Sequence, residues 1–377
     1  MSAVKRPDGR WRARYRDATG KEHAKHFDRT VDAERWLASV KTAQSRGEWI
    51  DPSLSRVTVG EWAARWLDSQ VQLKPSTHLR YSSLLRSQVL PAWDRVPLSS
   101  VSHADVGDWV GNLTAAGLAP STVRQAHRVL SLVLTLAVRD GRLARNTADG
   151  VRLPRVSRQD KHFLSHEQVG ELAAACGPHG LVVQVLAYTG LRWGELAALR
   201  ARHIDLSRRR LVVAESVTEL SGHAVFGTPK SHHRRSVPLP RFLVSQLVDQ
   251  LRGKAPDDLV FTAPGGGVLR NNNFRRRGFN QAAESVGLAG LTPHELRHTA
   301  ASLAVAAGAN VKAVQRMLGH ASAAMTLDVY AGLFGDDLDA VADRLDDAVR
   351  RSGADQMRTE HDDDDPDEGA AESLVAV

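Results

Sequence analysis

Cysteine is nearly absent: Cys176 stands alone in 377 residues, so no disulfide can form within the chain and nothing suggests an oxidising compartment. It lies in the apolar stretch ELAAACG and reads as a small buried hydrophobe rather than a nucleophile. Aromatic residues are few, at 5%, and seven of the eight tryptophans fall before residue 110, which suits core packing better than a row of base-stacking platforms. No apolar run approaches the length of about 20 residues that a membrane-spanning helix needs. The opening segment MSAVKRPDGRWRARYRD carries charge without an apolar core, so it is not a secretory signal. These absences exclude a disulfide scaffold and a membrane protein and lead to the expectation of a cytoplasmic protein. No internal repeat is visible.

What the chain has in excess is positive charge, and it is unevenly placed. The net charge of +7 conceals an acidic tail, residues 353–377 around DDDDPDE, with nine Asp/Glu against one Arg. The other 352 residues therefore carry a net +15. A basic body fits a polyanionic partner, above all nucleic acid, and the tail reads as disordered.

Residues 1–52 form a first small unit, in which GRWRARYRDATGKEHAKHF reads as a hairpin about Ala18-Thr19-Gly20 and VDAERWLASVKTAQSRG as a helix. Arg10, Arg12, Arg14 and Arg16 recur at period two, so a strand sets them on one face, suited to phosphate contact or to protecting a solvated edge. Residues 55–150 read as a four-helix domain with Thr58, Ser102 and Pro120 at helix starts. Arg124 and Arg128 lie one turn apart in its last helix and are further candidates for DNA contact. Residues 151–161, VRLPRVSRQDK, form a basic linker. Residues 162–352 form a mixed unit: a capped helix from Ser165, helices at LVVQVLAYTG and LRWGELAALR, strands of one small sheet at LVVAESVT, HAVFGTPK and RRSVPLP, then further helices. The fold class is thus multidomain and mainly α, with a small sheet-plus-helix unit first, a helical bundle second, and an α+β unit with a small antiparallel sheet last.

The chemistry centres on HELRH at 294–298, which has two readings. As H-E-x-x-H, His294 and His298 are zinc ligands and Glu295 is the general base of a metalloprotease. As H-x-x-R, His294 and Arg297 share a helix face as proton carrier and phosphate clamp. Thr292 as N-cap, Pro293 at the first helical position and Glu295 three residues after the cap make a capping box, which gives Glu295 a structural task and sets His294 in the first turn, where an anion is welcome. Arg297 inside a zinc motif would put a cation beside the metal. Downstream, Asn310 caps a helix that stops at Gly319, His320 follows, and Tyr330 sits in a helix after Ser322. Upstream, Arg192 precedes Glu195 by three residues, and Lys230 lies in a turn between strands.

Taken in order, TGLRWGEL around Arg192, TPKSHHRRSVPLP around Lys230, LTPHELRHTAASL around His294 and Arg297, LGHAS around His320 and LDVYAGL around Tyr330 resemble the tyrosine recombinases of the phage integrase type. The resemblance covers roughly residues 160–350; the helical unit resembles the family's core-site-binding domain, and the first fifty residues resemble, less specifically, its arm-binding domain. It implies a recombinase that cuts and rejoins DNA through a 3′-phosphotyrosine on Tyr330. Arg192 and Arg297 would clamp the phosphate, His294 would assist Tyr330, Lys230 would protonate the departing 5′ oxygen, and His320 would hydrogen-bond the phosphate. It further implies double-stranded attachment-site DNA as partner, a homotetramer in the synaptic complex, accessory DNA-bending or directionality proteins, and neither metal nor cofactor. Two other classes stand beside this reading: a non-catalytic helix-turn-helix DNA-binding protein built on Leu296–Tyr330, and the zinc metalloprotease. The amphipathic segment DDLDAVADRLDDAVRRSG after Tyr330 is a candidate for docking on a neighbouring protomer.

Overall fold

The computed structural model describes residues 1–17, 20–46, 49–51, 53–156, 162–229 and 234–330, together with 343, 345–347 and 349–350. The chain divides into two compact units, Met1–Gln159 and Asp160–Val377. Among the described residues, no helix is long and apolar enough to cross a membrane.

The first unit opens with an antiparallel sheet in the order β1 (Ser2–Lys5), β2 (Trp11–Arg16), β3 (Glu22–Phe27), backed by α1 (Thr30–Ser45). The β2–β3 hairpin and the helix are those expected; β1 was not, because SAVK is too short to show a strand period and gains its order from pairing with β2. Strand alternation buries Ala13 and Tyr15 and exposes Arg12, Arg14 and Arg16, with Arg10 exposed just before the strand. Glu22 lies across this face, 3.1 Å from Arg12 and 3.9 Å from both Arg14 and Arg16. On the buried face, Tyr15 stacks on His23, and the Trp49 indole donates to its hydroxyl at 2.8 Å.

The bundle of this unit contains α2 (Val59–Asp68), α3 (Pro75–Leu84), a π-turn at Leu85–Val89 leading into α4 (Leu90–Trp93), α5 (His103–Ala115) and α6 (Pro120–Arg139). Capping boxes start two of these helices, Thr58 with Glu61 and Ser102 with Asp105. Trp62, Trp66, Trp93 and Trp109 are all buried in one core with Val123, Val129, Leu130 and Leu134, so these tryptophans are packing residues. Arg124 and Arg128 lie on the exposed side of α6.

The second unit begins with α7 (His166–Ala175), capped by Ser165 and Gln168, followed by α8 (Gly180–Thr189) and the short α9 (Trp193–Ala197). The expected helix over LRWGELAALR stops early because the chain leaves it to pair elsewhere: the Val260 amide donates to the Leu199 carbonyl, and Arg200 bridges to Leu259. The expected single sheet is in fact two. Strands β4 (Ile204–Asp205), β5 (Arg210–Val213) and β8 (Arg235–Pro238) form one antiparallel sheet in the order β4-β5-β8; β6 (Ser216–Leu220) and β7 (His223–Gly227) form a separate hairpin. LVVAESVT therefore splits between two sheets, and the break falls at Ala214-Glu215, where the Glu215 carboxylate pairs with Arg200 and Arg202. Helices α10 (Arg241–Leu251), α11 (Asn271–Phe274), α12 (Asn280–Ser285), α13 (Glu295–Ala306), α14 (Val311–Leu318) and α15 (Ala323–Tyr330) follow. The main core joins Leu172, Val183, Leu186, Leu196, Leu211 and Phe274, with Leu296 of α13 in it. A smaller cluster of Ala301, Val314, Leu318 and Tyr330 fixes the last helices against α13. Lys230, the segment 157–161 of the linker, the tail 353–377 and most of the segment after Tyr330 lie outside the described residues.

Candidate active site

Three tight turns bring the site together. Helix α8 ends at Gly190 in the left-handed region, φ 65°. A Cβ there would sit 2.5 Å from Leu318 Cδ2 and 3.3 Å from Ala300 Cβ, so only glycine lets this helix end approach α13 and α14 so closely. Helix α14, capped by Asn310 as expected, ends at Gly319, also left-handed with φ 65°. The start of α13 differs by one residue from the expected capping box. The Thr292 amide does donate to the Glu295 carboxylate at 2.7 Å, but no side chain caps the helix, and His294 occupies the N-cap position rather than the first turn. Only half of the box forms because Thr292–Glu295 closes a turn through its own backbone, the Glu295 amide donating to the Thr292 carbonyl at 2.9 Å.

The centre of the site is a single carboxylate among guanidinium groups. The Glu195 side chain is 1% exposed; Arg235 donates to both its oxygens at 2.9 and 2.6 Å, and Arg192 donates to one at 3.0 Å. Burial pulls the Glu195 carboxyl up, but the hydrogen bonds and charge of Arg235, with Arg192 behind them, hold it below its ordinary value, so it is ionised. Arg297 is buried at 3% exposure. Its two terminal nitrogens donate to the Gly190 carbonyl and, at 2.6 Å, to the Leu318 carbonyl, which leaves three of its five N–H groups for another acceptor. Burial, then the like charge of Arg192, bring its pKa down to about 9, still well above neutrality. Arg192, Arg235 and Arg297 against Glu195 leave an excess of positive charge, and Arg192 remains about a quarter exposed, at 26% of its side chain.

Tyr330 closes the site and is 2% exposed. Burial pushes its hydroxyl up to about 12, partly opposed by Arg297. The His298 Nδ1 lies 2.7 Å from the Tyr330 Oη, and the His320 ring stacks on Tyr330 with centroids 6.4 Å apart. The His320 Nδ1 contacts Thr326 Oγ1 at 3.0 Å, and burial, followed by the charges of Arg297, Arg192 and Arg235, brings its pKa down to about 4, so the ring is neutral. His294 is exposed, with its ring edge-on to His298 at 5.2 Å.

The structure thus gathers Arg192, Arg297, His320 and Tyr330 with His294 near them, all candidates named from the sequence, while Lys230 lies outside the described residues. Sequence reasoning passed over Arg235 and His298. Arg235 stands in the RRS run beside the Lys230 turn; its half-buried position on β8, and the Nε bond of 3.0 Å that it donates to the Met317 carbonyl, have no local signature. His298 enters the sequence reading only as a zinc ligand of H-E-x-x-H. The H-E-x-x-H residues have other engagements, Glu295 with the Thr292 amide and His298 with Tyr330. The described residues whose ligand atoms do converge, Asp17, His23 and Asp51, lie in the first unit, and there the Lys21 ammonium is 2.6 Å from Asp51.

Fixed guanidinium donors beside a buried tyrosine are the elements of a site that holds an anionic phosphoryl group against a hydroxyl nucleophile. Residues 162–334 match the phage integrase family, and residues 2–46 match the phage integrase N-terminal domain. The chain belongs to the phage integrase family, the tyrosine recombinases, and is a DNA recombinase. It is similar to an integrase of Mycobacterium phage D29, 27% identical over 319 residues that span 80% of this chain and 84% of that protein. In fold it is similar to the Tn1549 transposon integrase in complex with a circular intermediate DNA (TM-score 0.67, 22% identity, 76% of this chain and 99% of that one). It is also similar in fold to a lambda integrase tetramer bound to a Holliday junction (TM-score 0.57, 20% identity, 85% of this chain and 95% of that one).

Proposed function

We propose that this chain is a site-specific recombinase that cuts and rejoins double-stranded DNA through a covalent 3′-phosphotyrosine on Tyr330, integrating or excising a mobile element. The observation that carries this is the meeting of Tyr330 with the Arg192–Glu195–Arg235–Arg297 cluster, built from segments far apart in the chain. In-line attack at phosphorus spreads negative charge onto the non-bridging oxygens. Arg192 and Arg297 hold those oxygens, and preorganised donors of this kind are worth roughly 3–4 kcal/mol each in the transition state. Glu195 and Arg235 keep Arg192 in place. Neutral His320, with the Thr326 hydroxyl donating to its Nδ1, presents an Nε2–H to the phosphate, and exposed His294 stands at the mouth of the site. Lys230 gives a proton to the departing 5′ oxygen. The phosphotyrosine stores the energy of the broken bond, so rejoining needs neither metal nor nucleotide.

In this reading residues 162–352 are the catalytic domain, 55–150 bind the core site and 1–52 bind a second, arm-type site. Arg10, Arg12, Arg14 and Arg16 on the exposed face of the first sheet and Arg124 and Arg128 on α6 contact phosphates. The tetramer and DNA named for the lambda and Tn1549 integrases support a synaptic complex of four copies on two duplexes, acting in the cytoplasm with accessory DNA-bending or directionality proteins. The test is incubation with nicked attachment-site DNA, whose cleaved fragment diffuses away and traps the intermediate. A protein–DNA adduct that survives denaturant and is unaffected by EDTA is expected. Cleavage without an adduct, or an adduct abolished by EDTA, would refute the mechanism.

A further inference from the structure

We infer that Arg235 is a positioning residue for His320: it fastens the C-terminal end of α14 to the buried Glu195 carboxylate and so sets the imidazole that follows that helix against the phosphate. The inference rests on the reading of His320 as a donor to the phosphate and names what holds it there. A helix leaves its last four carbonyls without partners of its own, and each needs a donor from elsewhere. At the end of α14 all four have one. The Gln315 carbonyl accepts from the Gly319 and His320 amides at 2.9 and 3.1 Å, and the Arg316 carbonyl accepts from the Gly319 amide at 3.2 Å. The Met317 carbonyl accepts from Arg235 Nε at 3.0 Å, and the Leu318 carbonyl accepts from Arg297 at 2.6 Å. Two guanidinium groups thus close the negative end of this helix, and His320 follows two residues beyond Leu318.

Arg235 is itself held fast. Its side chain is 9% exposed, and the two ends of its fork donate to the two Glu195 oxygens at 2.9 and 2.6 Å. The turn rests directly on it: a Cβ at left-handed Gly319 would lie 2.9 Å from Arg235 Cδ and 3.1 Å from its Nε and Nη1. His320 has other anchors, its Nδ1 on the Thr326 hydroxyl at 3.0 Å and its carbonyl on the Gln315 amide at 3.2 Å. Both lie within α14 and α15, so they orient His320 relative to those helices and not relative to the clamp. Arg235 supplies that second relation, joining Glu195, 40 residues earlier, to Met317, 82 residues later. Without Arg235, Arg192 still keeps two bonds to Glu195, from its guanidinium at 3.0 Å and its amide at 2.9 Å. What is lost is the attachment of the α14 end, and a misplacement of about 1 Å in a reacting group can cost roughly 100-fold in rate.

The experiment measures single-turnover adduct formation on nicked attachment-site DNA by full-length Arg235→Met and Arg235→Lys, each in the wild-type and the His320→Ala background, alongside DNA binding and thermal unfolding. Methionine keeps an apolar stem beneath Gly319 and donates nothing; lysine replaces the fork by a single ammonium. In the wild-type background Arg235→Met is expected to slow adduct formation about 100-fold and Arg235→Lys about 10-fold, with DNA affinity unchanged. In the His320→Ala background the same changes are expected to cost no more than about 3-fold, because a residue that acts through His320 has nothing left to position. A residue that only stabilises the fold, or acts through Arg192, loses the same factor in both backgrounds. That additive result, or a wild-type rate in Arg235→Met, would overturn the inference. The lysine variant, which keeps a cation beside Glu195, decides the comparison if the methionine variant does not fold. A wild-type rate in His320→Ala refutes the phosphate role of His320 and the inference with it, whereas a slow His320→Ala with an additive Arg235 effect refutes the inference alone.

Discussion

Tyr330→Phe is expected to bind attachment-site DNA with unchanged affinity and to form no covalent adduct. The substitution removes one atom, the oxygen that in the proposed mechanism becomes the ester to the 3′ phosphate. The ring stays where Ala301, Val314 and Leu318 hold it, so the fold survives. The substitution removes the hydrogen bond with His298, worth about 1 kcal/mol for a typical intramolecular bond. Binding by gel shift, adduct formation in denaturing gels and the thermal midpoint together check this. An adduct that persists at the wild-type level would remove Tyr330 from the chemistry, and loss of DNA binding would make it a packing residue.

Glu195→Ala is expected to be the most destabilising single change in the site, at about 3–5 kcal/mol, the usual cost of stranding a buried charge by deleting its partner. Glu195 is 1% exposed and satisfies two guanidinium groups at once. Without it Arg235, itself 9% exposed, loses both carboxylate bonds and faces Arg192 and Arg297 uncompensated. The pH dependence follows from the direction of the shift. Because the folded-state carboxyl lies below its ordinary value, the stabilisation is complete above the ordinary carboxylate range and is lost as pH falls through the lowered folded value. His320 acts in the same direction: its neutral ring gains a proton on unfolding, so stability declines as pH drops from 6.5 toward about 4. Urea unfolding of wild type and Glu195→Ala across this range measures both effects. A difference under about 1 kcal/mol at neutral pH would mean that the ion cluster behaves like an exposed surface pair.

Much of this was legible in the residues, and the reasons differ by element. Helix starts were readable because caps are local: Thr58, Ser102, Ser165 and Asn310 each accept a backbone amide three residues on. The arginine face of β2 followed from strand alternation. The splitting of LVVAESVT between two sheets did not follow, because it depends on Arg235–Pro238 pairing with β5 across the separate β6–β7 hairpin, a non-local event. Within the site, Arg192, Arg297, His320 and Tyr330 carried motif context, whereas Arg235 resembled one more surface charge in a basic run. His298 was hidden differently. Its place in H-E-x-x-H suggests a metal ligand, and nothing near it in sequence points to a tyrosine; only the fold brings Tyr330, 32 residues later, onto its ring.

The central claim is that Tyr330 carries DNA through its hydroxyl. The most direct measurement is to trap the adduct on nicked attachment-site DNA, digest protein and DNA, and identify the modified peptide by mass spectrometry. The account predicts one modified residue, Tyr330, esterified to the 3′ phosphate of the cleaved strand, with a free 5′ hydroxyl on the released fragment. A linkage to any other residue, or to a 5′ phosphate, would contradict it.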